Sequence, residues 1–142
     1  MHYRWAAPAL VLALCAVTPK SAAGQQPDTQ PRGRKLATLG PNDPNPFSPD
    51  TFIPFSVDDC SGPTGQRAVT LRVYNVLAQL VSVPMLFGSA RPLVNVRLSC
   101  GQYRGYWDGR VGRHGAPAAS GVYVYELVVD GQRTSRKMFL AR

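Results

Sequence analysis

The sequence predicts an all-β domain, an antiparallel β-sandwich of Ig-like type with about seven short strands. Three observations carry that expectation. Gly and Pro together make up roughly 18 % of the chain, against about 12 % in an ordinary domain, which favours turns over long helices. Apolar residues recur at period two in several short runs, and no segment keeps a helical period over a useful length. Asp130-Gly131 lies between two such runs and is a signal for a type I′ hairpin turn.

The chain opens with a segment that does not belong to this fold. Arg4 supplies a positive start, Ala6 to Val17 is almost uninterruptedly apolar, and Ser21-Ala22-Ala23 places small residues before Gly24. This is the layout of a secretory signal peptide over residues 1–23, with cleavage between Ala23 and Gly24. An apolar run of about 12 residues is too short to cross a hydrocarbon core of about 30 Å, so no transmembrane span is expected in the mature chain. Leu12-Ala13-Leu14-Cys15 approaches a lipoprotein signal, but Leu14 is too large for the position before the cysteine. Cys15 is therefore expected to leave with the leader.

Residues 24–43 hold Gln, Pro, Thr, Gly and Arg with few apolar side chains and read as a flexible tether. The domain proper is expected over 44–142. Pro44-Asn45-Pro46-Phe47-Ser48-Pro49 should hold the backbone extended and pin Phe47 to a sheet edge. Thr51 to Val57 alternates Ile53, Phe55 and Val57 on one face, and Pro54 restricts this strand to an edge or a bulge. Asp58 to Gln66 is turn-rich. Ala68 to Tyr74 is the clearest strand, with Val69, Leu71 and Val73 on one side. Asn75 opens a turn, Leu80 to Met85 reads as the returning strand, and Leu93 to Ser99 as another. Tyr103 to Trp107 is aromatic-rich and stops at Asp108-Gly109. A polar loop runs from Arg110 to Ser120. Gly121 to Val129 and Arg133 to Leu140 then flank the predicted hairpin turn.

Loss of the leader removes Arg4 and Lys20 and lowers the formal net charge from +8 to +6. It also leaves an even pair of cysteines, Cys60 and Cys100. In an exported chain such a pair reads as a disulfide. It would close a loop of about 40 residues, worth about 3–4 kcal/mol.

Composition also narrows the function classes. The chain has 2 His and a single glutamate, Glu126, which is thin material for acid–base or metal chemistry. His114 lies between Asp108 and Ser120, but no nucleophile elbow surrounds that serine, so an enzyme is not expected. No metal or cofactor site is expected either, since one mature histidine and two paired cysteines make no ligand set. The arginines Arg104, Arg110 and Arg113 could meet an anionic surface, while export argues against nucleic acid as a partner. Tyr103, Tyr106 and Trp107 are the candidate glycan contacts. Because Tyr106 and Trp107 must point to opposite faces, they cannot share one platform.

Five segments in order resemble a known family. They are Pro44 to Pro49, Val73-Tyr74-Asn75-Val76-Leu77, Trp107-Asp108-Gly109, Ser120-Gly121-Val122-Tyr123 and Arg136-Lys137-Met138. The pattern is similar to the FlgD-type Ig-like domain, and to the C-terminal sorting domains of type IX secretion cargo. It covers about residues 41–142. Pro46, Phe47, Trp107, Asp108, Gly109, Ser120, Gly121 and Tyr123 then count as fold devices and not as a site. Two departures stand out: Ala78-Gln79 where the family usually carries a glycine, and a long 82–104 segment that carries Cys100.

The resemblance implies an exported, non-catalytic protein that acts in sorting, surface association or protein–protein interaction. Its partner would be another envelope or secretion-system protein, or a surface glycan. A carbohydrate-binding module and a relative of the flagellar hook-assembly scaffold are the alternatives. The protein would reside in the periplasm, on the cell surface or outside the cell.

Overall fold

A computed structural model describes residues 33–142. The leader, its cleavage site at Ala23 and Gly24, Cys15 and the first part of the tether lie outside the described residues.

The described chain is all-β, with nine strands in two antiparallel sheets. They are β1 (Ala37–Leu39), β2 (Thr51–Val57), β3 (Gln66–Tyr74), β4 (Leu80–Ser82), β5 (Met85–Leu86), β6 (Val96–Ser99), β7 (Gly101–Trp107), β8 (Gly121–Val129) and β9 (Gln132–Leu140). The first sheet runs β1-β2-β7-β5 and the second β4-β3-β8-β9, with β6 pairing the far end of β3. Those orders are the A-B-E-D and C′-C-F-G arrangements of an Ig-like sandwich, with β6 as an addition.

Period two builds the core. Ile53, Phe55 and Val57 of β2 face Val69, Leu71 and Val73 of β3 and Tyr125, Leu127 and Val129 of β8, all buried. Gly105 lies in the same layer because a Cβ there would come within 2.5 Å of the Leu71 side chain. Tyr123 sits near the start of β8 and its hydroxyl donates to Ala119 O at 2.6 Å, the tyrosine corner expected of this fold. The Asp130-Gly131 turn has positive φ at both residues, 44° and 84°, as a type I′ turn requires.

Four sequence expectations need correction. Nine strands replace about seven. The single strand expected over Leu80 to Met85 is split, because Pro84 cannot donate to a ladder. Its first half pairs β3 in the second sheet, while Met85 pairs Tyr106 in the first. The ordered fold also reaches back into the stretch read as tether. Ala37 and Leu39 are buried against β2, and Asn42 is 4 % exposed. The amide of Asn42 donates to the Tyr125 hydroxyl, which in turn donates to Gly40 O, so this segment is tied to β8. Finally, Pro54 is not in an edge strand, since β2 lies between β1 and β7. Its missing N–H is harmless because β1 has already ended at Leu39. Pro54 O still accepts the Gly40 amide at 2.8 Å.

A disulfide joins Cys60 and Cys100, whose Cα atoms are 5.7 Å apart. Cys60 lies in the passage from β2 to β3 and Cys100 in the turn from β6 to β7, so the bond ties two crossings between the sheets. Arg67 reinforces the same end of the sandwich. Its Nε donates to Asp59 O at 2.6 Å, and its guanidinium pairs with Asp130 at 3.2 Å.

Candidate functional site

The residues singled out by sequence sort into two groups, and most belong to the scaffold. The Trp107 indole is 1 % exposed, packs 5.4 Å from Phe47 and 5.3 Å from Tyr123, and donates to Arg110 O. Asp108 accepts the Arg110 amide at 3.0 Å, and Gly109 turns the chain at φ 73°. Phe47 pairs in parallel with Leu140 at the edge of the second sheet, and its amide donates to Phe139 O. Ser120 accepts the Arg142 amide, and Gly121 leads directly into β8. Pro46 precedes Phe47 in the segment along that edge.

The three candidate glycan contacts do not converge. Trp107 is in the core. Tyr103 lies on the core side of β7, its ring stacked on Phe55 at 5.7 Å and its hydroxyl donating to Ser99 O. Tyr106 alone stands on the outer face, where its hydroxyl donates to Asp50 at 2.9 Å. Burial, and then the Asp50 carboxylate, hold this phenol above its ordinary 10.0. Asp108 Oδ1 and Ser120 Oγ each accept a backbone amide, and His114 lies exposed in the loop between them. Among the described residues, no three His, Cys, Asp or Glu side chains group as a metal would need.

What the structure brings together is the outer face of the first sheet. Strand register lays it out in three rows running across the strands, which are spaced by about 4.8 Å. Thr38, Ser56 and Gln102 form a polar row. Pro54 and Arg104 pair in the next, beside Gly40. Phe52, Tyr106 and Met85 pair in the third. Phe87 follows β5, and its amide donates to Arg104 O, which carries its ring over the same face.

These rows make a cation–aromatic cluster. The Arg104 guanidinium carbon lies 4.6 Å from the Phe87 ring centre and 5.1 Å from that of Phe52. The two rings meet edge to face at 5.1 Å, and Phe52 contacts Tyr106 at 5.4 Å. Beside the cluster is an open groove of about 540 Å³, lined by Thr38, Gly40, Pro54, Phe87, Gln102 and Arg104 among others. Gly40 keeps its floor low, because a Cβ there would approach Pro54 Cγ at 2.9 Å.

Sequence reasoning passed over Phe52 and Phe87. Phe52 is out of phase with Ile53 and Phe55, which is the signal that could have placed it outside. Phe87 carries no such signal, since its position follows from the sheet change at Pro84.

The chain matches no protein-family model, and searches of curated proteins and of solved structures return no match.

Proposed function

We propose that this protein is a non-catalytic, exported binding module that associates with the cell envelope or with a secretion-system partner. The observation that carries the reading is the outer face of the first sheet. Phe52, Phe87, Tyr106, Met85 and Arg104 belong to the residue types enriched where proteins bind other molecules, and Phe87 is 52 % exposed. All but Phe87 stand on strands fixed from below by the sandwich core, and Phe87, in the turn after β5, is tied to β7 by its amide bond to Arg104 O. The signal-like leader, the disulfide and the likeness to FlgD-type domains support an extracytoplasmic setting.

The test is binding of the purified protein to isolated envelopes of its host. Wild type should sediment with them, and Phe52→Ser with Phe87→Ser should leave most of the protein in the supernatant while its thermal transition stays cooperative. Equal sedimentation of both proteins would remove this face from the reading.

A further inference from the structure

The groove beside Arg104 has a chemistry specific enough to name its ligand class. We propose that it binds a carboxylate-bearing glycan, a chain of uronic-acid type. This rests on the outer face being the binding face, and specifies what it holds.

Arg104 is the starting point. Among the described residues its guanidinium makes no hydrogen bond and no ion pair, and it rests against two aromatic rings on this face. It rests beside the edge-to-face pair of Phe52 and Phe87, which confines the guanidinium on one side while no described residue takes up its N–H donors. A planar guanidinium is suited to two parallel hydrogen bonds with a carboxylate. Phe87, half exposed, adds an apolar ring against which the C–H face of a sugar can lie.

The polar row supplies the complementary half. Thr38 Oγ1 and Ser56 Oγ each donate to Asp58 at 2.6 Å. Their protons are therefore committed, and what the two hydroxyls retain is acceptor capacity. Gln102, next in the row, offers both a donor and an acceptor. A ligand seated here must bring its own donors to one side and its negative charge to the other, toward Arg104 and away from Asp58. A sugar acid has that arrangement, with ring hydroxyls on several carbons and a carboxylate at one end.

A peptide fits less well. The groove lies on the face of β2 and β7, where a ligand meets side chains, because strand N–H and C=O groups lie in the plane of the sheet. Extended peptides gain most of their affinity from main-chain pairing at an open sheet edge. On this face a peptide backbone would be covered without partners, at a cost for each unpaired group.

The experiment is titration of the full chain with oligogalacturonate at about 0.15 M salt, where long-range attraction is screened beyond about 8 Å. Carboxyl-reduced oligogalacturonate and oligoglutamate serve as comparison ligands. Oligogalacturonate should bind, the reduced form at least tenfold more weakly, and oligoglutamate weakly or not at all. Arg104→Gln and Phe87→Ala should each weaken uronate binding at least tenfold. Arg104→Lys keeps the charge but loses the fork, and should weaken it too. Arg97→Gln, on the other sheet, should leave affinity unchanged.

Equal loss in Arg97→Gln would mean adhesion of a basic protein to any polyanion, and overturns the proposal. So would undiminished binding of the reduced oligomer, or tighter binding of oligoglutamate. Absence of all binding, in a protein that still sediments with envelopes through Phe52 and Phe87, would overturn the glycan assignment and leave the binding-face reading standing.

Discussion

Gly109 sits where two constraints meet. Its φ of 73° lies in the left-handed region, and a Cβ would run into the carbonyl oxygen of Pro49. Gly109→Ala should therefore cost about 2–3 kcal/mol in urea unfolding, the sum of a backbone and a steric effect. Ala78 is the reverse case. It holds φ 59° with a side chain in the β3–β4 turn, a backbone conformation that suits glycine better. Ala78→Gly should stabilise by about 0.5–1 kcal/mol, and no gain would mean that the turn relaxes without it. Both positions are legible in sequence, one as a glycine after Trp107-Asp108 and one as a departure from a pattern.

The acid limb of stability belongs to single residues as well. Ser61, through its hydroxyl and amide, holds Asp59 below the ordinary 3.8, with Arg34 and Arg67 adding to it. Ser56 and then Thr38 do the same for Asp58. Both carboxyls are more acidic folded than unfolded. Their stabilisation is complete above about pH 4 and is lost as pH falls through the folded values. Asp59→Asn should melt earlier than wild type at neutral pH, and the two melting curves should converge in acid. A constant gap across the pH range would contradict this origin.

At the scale of elements, the strands with plain alternation were readable and the irregular ones were not. β2, β3, β8 and β9 follow from period two and the Asp130-Gly131 turn. β1 is hidden because only Ala37 and Leu39 mark it, within a stretch otherwise rich in Pro, Gly and charge. Its burial gives it consequence. Leu39 is 4 % exposed, so Leu39→Ala should cost about 2 kcal/mol, whereas a solvated tether would show no change. The β4–β5 break was signalled by Pro84, but the sheet to which each half belongs depends on pairing with Val73 and Tyr106, far away in sequence. The same dependence hid the binding face. Tyr106 could be placed outside by alternation alone, while its neighbours come from elsewhere in the chain, Phe52 from β2 and Phe87 from the turn after β5.

For the whole molecule, the disulfide acts mainly on the unfolded chain. Cys60 and Cys100 are 40 residues apart, and releasing them should cost about 4 kcal/mol by loop entropy. Cys60→Ser with Cys100→Ser should lower the urea midpoint accordingly while the cation–aromatic face, held by β2 and β7, still binds. The covalent tie lies at one end of the sandwich, and the proposed function on a face built by register.

The reading of this protein as an exported, disulfide-bonded binding module is a claim about the mature chain. Intact-mass analysis of the protein recovered from fractions of its native host tests that claim most directly. A chain beginning at Gly24, lighter by the two hydrogens of a disulfide and found with the envelope or outside the cell, is the predicted result. A full-length cytoplasmic chain with free thiols at Cys60 and Cys100 would contradict it.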